Sequence, residues 1–177
     1  MKALILYWSK GGNTEKVALA IKEGLESKKV DATVEKITKD LEVDFFAYDL
    51  LCLGFPSYQW HPPEIVDGFL KKRFGVYKDQ GRVKTAAPPV AGKNALVFCT
   101  YSGPHTGINE AVPAGKYVGQ FFEHLGFTLR GEWYVIGQFH GSEEHSTLGR
   151  LGDIRGRPNA EDLRKVREDA AALAGRL

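Results

Sequence analysis

Hydrophobic positions along the chain follow two alternating rhythms. Four short runs, Ala3–Trp8, Asp49–Phe55, Asn94–Thr100 and Trp133–Gly137, are dense in Leu, Ile, Val or aromatics. Unbroken apolar runs of this length suit strands buried on both faces. A further segment, Val30–Ile37, alternates Val30, Ala32 and Val34 with charged or polar residues, as a strand at or near a sheet edge does. Between these segments apolar residues recur every three or four positions, the period of a helix with one buried face. That face is Val17, Ala18, Ile21 and Leu25 in Thr14–Lys28, and Val66, Phe69, Leu70 and Phe74 in Pro63–Phe74. It is Tyr117, Val118, Phe121, Phe122 and Leu125 in Pro113–Leu125, and Leu163, Val166, Ala170 and Leu173 in Ala160–Leu173. Pro63 and Pro113 stand near helix starts, where a missing N–H costs little. Asn159 is placed to cap the last helix. Lys39–Ala47 carries a poorer helical pattern.

Alternating strands and helices predict an α/β fold: a doubly wound parallel sheet between two helical layers. Right-handed crossovers restrict its topology to a few strand orders. Two connections exceed the usual loop length, Gly75–Gly92 and Gly137–Pro158, the second with five glycines before the final helix. Loops this long are usually functional or hide small elements.

Composition narrows the class without naming a ligand. The 177 residues are expected to form one domain, 1–177, large enough to need no disulfide staples. A net charge of +2 implies neither a nucleic-acid footprint nor an acidic tail. No apolar run approaches the roughly 18 residues of a membrane span. The opening MKALILYW is a short apolar run without a small-residue cleavage site, so it is expected to be a strand rather than a signal peptide. A cytoplasmic location is the default expectation. Cys52 and Cys99 both lie inside apolar runs and are expected to be reduced and buried, a redox thiol pair being the alternative.

In open α/β sheets, ligands bind beyond the carboxyl ends of the strands, where strand order reverses. Three loops follow strands in this way. Ser9-Lys10-Gly11-Gly12-Asn13-Thr14 combines glycines, two hydroxyls and a helix N-terminus, the ingredients of a phosphate cradle. It matches neither the Walker pattern nor the dinucleotide fingerprint; taken alone, it is also consistent with a Gly-rich turn capped by Thr14. The second loop, from Gly54 to Pro63, contains Pro56, Ser57, Tyr58, Gln59 and Trp60. Its aromatic rings suit either a stacking wall for a flat ligand or a cover for the sheet edge. The third, Thr100-Tyr101-Ser102-Gly103-Pro104-His105-Thr106-Gly107, offers backbone groups to the polar edge of a planar ring, or is a solvated turn.

Together the loops describe a site for a phosphorylated planar cofactor, and the combination resembles the flavodoxin family. The resemblance spans nearly the whole chain and rests on YWSKGGNTEKVA, YDLLCLGFPSYQWHPPE and LVFCTYSGPHTG. The later stretch GDIRGRPNAEDLRKVRE is similar to the close of flavodoxin-like oxidoreductases. The resemblance implies a five-stranded sheet in the order 2-1-3-4-5 and non-covalent FMN. It places the FMN phosphate at Ser9, Lys10, Gly11, Gly12, Asn13 and Thr14. It places the isoalloxazine between Ser57, Tyr58, Gln59 and Trp60 on one side and Thr100, Tyr101, Ser102 and Gly103 on the other. Electrons would arrive from NAD(P)H or a protein donor, and the resemblance allows a second subunit to complete the aromatic loops. Three features depart from the pattern. Gly11 stands where the family has a hydroxyl residue, the net charge is +2 rather than markedly acidic, and the two long loops make the chain longer.

The reduced flavin is anionic at its N1–O2 edge, which a cation or N–H donor would stabilise. His105, in the third loop, is the best-placed candidate and His61 a weaker one. His140, Glu143, Glu144 and His145 match no standard zinc spacing and are expected to form a polar loop, so no metal is expected. Lys71, Lys72 and Arg73 are expected on the solvated face of a helix. No side chain stands out as a general acid or base. The function expected is an FMN-dependent oxidoreductase, with a one-electron carrier as the alternative. A phosphoacceptor module would want acidic residues where the first strand ends, at Leu6-Tyr7-Trp8-Ser9.

Overall fold

The computed structural model describes residues 1–177. Five parallel strands form one sheet: β1 (Lys2–Tyr7), β2 (Asp31–Lys36), β3 (Leu50–Pro56), β4 (Asn94–Tyr101) and β5 (Thr128–Ile136), in the order β2-β1-β3-β4-β5. Helices α1 (Asn13–Glu26) and α5 (Ala160–Ala174) cover one face, α2 (Glu64–Asp79) and α3 (Val112–His124) the other. A short helix, α4 (Glu143–Thr147), lies in the connection after β5.

The period-2 geometry of a strand divides the sheet's side chains between two cores. Ile5, Leu50, Cys52, Leu96 and Phe98 meet Val17, Ile21 and Leu25 of α1 and Val166, Ala170 and Leu173 of α5. Leu4, Leu6, Leu51, Leu53, Val97 and Cys99 meet Val66, Phe69 and Tyr77 of α2 and Val118 and Phe122 of α3. Cys52 and Cys99 are therefore buried on opposite faces as free thiols, and burial pushes both pKa values up. Neither forms a redox pair with the other.

Several expected boundaries moved, each for a visible reason. β5 begins at Thr128 rather than Trp133, because as the outer strand it is only half buried and carries Arg130 and Glu132 among its apolar residues. Its pairing with β4 shifts register between Ala95 and Leu96. α2 continues to Asp79, carrying Tyr77 into the core. In Lys39–Ala47 only Phe45–Ala47 forms a 3-10 turn, capped by the Asp44 side chain. Arg73 is not on a solvated face: it is buried, bonding the Val43 carbonyl at 3.2 Å and pairing with Glu42. It anchors the extended segment before β3, work that an exposed cation does not do.

Gly24 marks the closest approach of α1 and α5. A Cβ there would meet the Arg167 carbonyl oxygen and lie 2.7 Å from the Ala170 Cβ. Gly24→Ala gains about 1 kcal/mol of helix propensity but overpacks a rigid backbone contact at about 1–3 kcal/mol. A lower Tm, measured by circular dichroism, is the expected outcome; an unchanged or higher Tm would show that the two helices separate at no cost.

Candidate functional site

Sheet order reverses beside β1, whose neighbours are β2 and β3. The loops after β1 and β3 part there and leave a crevice at the carboxyl edge.

The loop Ser9–Thr14 is built to expose its amides. Gly12 holds φ at 89°, a left-handed conformation that a side chain would resist. The Gly12 N–H donates to Ser9 Oγ at 3.0 Å, which closes the turn. The N–H groups of Lys10, Gly11, Asn13, Thr14 and Glu15 find no acceptor within the chain. Such a group of free donors at a helix N-terminus is a ready anion site. The Thr14 side chain turns inward, its Oγ1 2.8 Å from Thr100 Oγ1 in a buried contact. Glu15, in the first turn of α1, accepts a hydrogen bond from Tyr7 Oη at 2.8 Å.

The loop after β3 makes a two-residue hairpin. Tyr58 N–H donates to the His61 carbonyl at 2.9 Å and His61 N–H to that of Tyr58 at 3.0 Å. Gln59 and Trp60 form the tip, with φ of 49° and 65°, the signature of a type I′ turn. Neither is glycine, so the tip is strained. Trp60 is 61% and Tyr58 45% exposed, and the Tyr58 ring meets Trp8 edge-on with centroids 6.0 Å apart. Ser57 N–H donates to the Thr100 carbonyl at 2.9 Å and Ser57 Oγ to that of Glu110 at 2.5 Å. Pro56 closes β3 beside Thr100.

In the third loop Thr100 and Tyr101 are buried. Burial raises the Tyr101 pKa, and its ring belongs to the core beneath the edge rather than to an exposed wall. Ser102 Oγ donates to the Gly137 carbonyl at 2.8 Å. Gly103, at φ 52°, leaves no room for a Cβ, which would stand 2.5 Å from the Gly107 carbonyl oxygen. The His105 ring is exposed and meets the His145 ring at 5.6 Å. His61 lies away from these groups, packed on Tyr117 at 4.5 Å.

Three residues outside the expected set hold this edge together. The Glu110 carboxylate accepts from the His105 N–H at 2.8 Å and the Thr106 N–H at 2.6 Å. The Gln138 carbonyl accepts from Asn13 Nδ2 at 3.0 Å. His140 lies over Gly11, its Nε2 3.4 Å from Asn13 Oδ1. The expected polar loop is thus partly a wall of the first loop. His145 instead packs on Phe139 at 5.1 Å and Glu143 pairs with Arg155 at 3.1 Å.

A reversal crevice lined by free amides at one end and exposed aromatics beside it defines a nucleotide-type cofactor site on a doubly wound α/β scaffold. The free N–H groups are donors of the kind a phosphate monoester requires, and Tyr58 and Trp60 are exposed aromatics in the neighbouring loop. The family model for flavodoxin matches residues 5–168, and the chain belongs to the flavodoxin family, whose cofactor is FMN. A search of curated proteins finds no match. Among solved structures, flavodoxin 1 of Bacillus cereus is 17% identical at a TM-score of 0.70, covering 100% of this chain and 99% of its own. A Streptococcus flavodoxin is 18% identical at 0.67, covering 100% of both chains. Rubredoxin oxygen:oxidoreductase of Desulfovibrio gigas is 15% identical at 0.61, where 99% of this chain matches 35% of the larger one.

The connection after β5 reaches α5 through one ion pair. Arg157 pairs with Asp162, which also accepts from the Asn159 N–H at 2.8 Å while Asn159 Oδ1 accepts from Asp162 N–H at 3.1 Å, a complete capping box. Burial opposes ionisation of Asp162, but the Arg157 guanidinium and the Asn159 N–H outweigh it and lower its pKa. The folded pKa thus lies below the unfolded value of about 3.9. Its stabilisation is present above that value and is lost as pH falls through the folded pKa. Asp162→Asn is therefore expected to cost about 1 kcal/mol or more at pH 7. Denaturant melts of both proteins should converge as the pH falls below about 3.9; a constant gap would remove the ion pair as its cause.

Proposed function

We propose that this chain is an FMN-dependent oxidoreductase acting as one domain, 1–177, in the cytoplasm, with NAD(P)H as electron donor and a quinone or another small molecule as acceptor. The observation that carries the reading is the meeting of the free-amide loop and the two further loops on one sheet edge. Ser9, Lys10, Gly11, Gly12, Asn13 and Thr14 hold the phosphate, mainly through backbone N–H groups. Pro56, Ser57, Tyr58, Gln59 and Trp60 border one side of the ring system, with Tyr58 and Trp60 as its apolar cover. Thr100, Tyr101, Ser102 and Gly103 supply backbone groups along the other. His105 is the nearest candidate cation for the ring's polar edge. Bound FMN supplies the acceptance and release of electrons; the chain's residues orient it and keep water from its faces.

A one-electron carrier without its own substrate is the second reading. The exposed Tyr58, Trp60 and Leu148 favour it, since apolar side chains at a redox edge suit coverage by a partner protein.

Anaerobic titration of the FMN-loaded protein with NADPH and then NADH separates the two. Loss of the flavin absorbance without any partner, followed by turnover with a quinone, is the expected result. Reduction by dithionite but by neither nucleotide would leave the carrier. Failure of purified protein to bind FMN at micromolar concentration would overturn both.

A further inference from the structure

We propose that His140 is a phosphate-binding residue of the cofactor site, filling the place of the side chain that position 11 lacks. This rests on the FMN reading above and adds a residue from the distant connection after β5.

The space above Gly11 is taken. A Cβ built at Gly11 would lie 2.8 Å from His140 Nε2 and 3.2 Å from its Cγ, overlapping the ring edge. The imidazole therefore occupies the volume in which a side chain at position 11 would begin, and a larger residue there would have to displace the ring. Neither neighbouring hydroxyl is free in the same way. Thr14 Oγ1 is spent on Thr100 in a buried contact, and Ser9 Oγ receives the Gly12 N–H. The side chains left at the free amides are Lys10 and His140, both exposed to solvent, and of the two His140 is the one that lies over Gly11.

The hydrogen bonds also place the ring's proton. The Gln138 carbonyl can only accept, so it is Asn13 Nδ2 that faces it at 3.0 Å. Asn13 Oδ1 then points away, with His140 Nε2 3.4 Å from it. An amide oxygen has no proton to give, so Nε2 is the donor and carries the hydrogen. At 3.4 Å this bond is long for an N–H donor, so an ionised acceptor above Gly11 would compete for the same hydrogen.

The backbone leading into His140 is held at two points. Gln138 is tied to Asn13 through its carbonyl, and the Phe139 carbonyl accepts from Ser146 Oγ at 2.9 Å. The Phe139 ring packs on His145 at 5.1 Å. The two residues before His140 are thus anchored, one to the first loop and one to α4. Pre-positioned donors give affinity because less motion is lost on binding.

The chemistry is selective for a phosphate over a hydroxyl. A hydrogen bond to an ionised acceptor is worth about twice a neutral one. Loss of one such contact weakens binding on the order of 10- to 100-fold. Riboflavin shares the ring system and ribityl chain of FMN but ends in a hydroxyl, so it does not sense the loss.

The test measures FMN and riboflavin dissociation constants by flavin fluorescence on the apoprotein, for wild type, His140→Ala, His140→Gln and the Gly11→Ser/His140→Ala pair. His140→Ala should weaken FMN by about 10- to 100-fold while riboflavin stays within about twofold. His140→Gln keeps an N–H donor and should retain most of the FMN preference. Gly11→Ser/His140→Ala places a hydroxyl in the emptied volume and should recover part of it. Equal weakening of both flavins, or of neither, overturns the proposal while leaving the FMN site intact. A wild-type protein that binds no FMN overturns the underlying reading instead. If His140→Ala does not fold by circular dichroism, the FMN-to-riboflavin ratio of His140→Gln against His140→Leu decides the matter.

Discussion

The buried contact between Thr14 and Thr100 is the joint on which the carboxyl edge depends. Their hydroxyls meet at 2.8 Å with both residues buried. One donates its proton and the other accepts it, so each hydroxyl has a partner inside a region where an unpaired one would cost about 1–3 kcal/mol. Thr14 begins the helix after β1; Thr100 lies near the end of β4, two strands away. The bond therefore fixes the start of α1 across the end of β3. Thr100 also accepts Ser57 N–H through its carbonyl, so one residue holds the first loop by its side chain and the second by its backbone. From Tyr101 onward the third loop follows directly.

This joint explains why the free donors of the first loop are mostly backbone groups. A hydroxyl committed to Thr100 is unavailable to a ligand, and Ser9 Oγ is occupied in closing the turn. Within Ser9–Thr14 the donors that remain, the Lys10 ammonium apart, are amides, whose directions are set by φ and ψ rather than by rotamers. A site of this kind is rigid because its scaffold is rigid. The opposite end is organised differently. Gln59 and Trp60 take left-handed φ without being glycine, and non-glycine residues hold such conformations only where their surroundings impose them. Here the paired backbone of Tyr58 and His61 imposes it, and the result is a Trp60 ring that remains outside.

The sequence made the interior strands and the three loops legible for one physical reason. A strand buried on both faces has few polar positions, so β1, β3 and β4 stand out as mainly apolar runs, and the loops after them are located by counting. The half-exposed β5 lacked that contrast before Trp133. Arg73 looked like one member of a solvated basic run, because nothing local signals that Glu42 and the Val43 carbonyl lie above it. The second layer of the site escaped for the same reason. Asn13 meets Gln138 and Gly11 meets His140 across well over a hundred residues of chain. No spacing pattern encodes such a pair. The one available signal was Gly11 itself, a position whose missing side chain implies that something else fills the space.

The two ends of the crevice also differ in what they can select. At the amide end, the free N–H groups form a fixed array of donors suited to an anion. At the aromatic end, Tyr58, Trp60, His105 and Leu148 are exposed and contribute little to either core. Substitution there leaves the two buried clusters intact, so the scaffold does not constrain those positions. A net charge of +2 supplies only a weak long-range field, so a molecule approaching this rim would meet short-range contact more than electrostatic steering. The amide loop and the exposed rim are thereby separated in space: the first is built into the sheet's connectivity, and the second is made of side chains that the fold leaves free to vary.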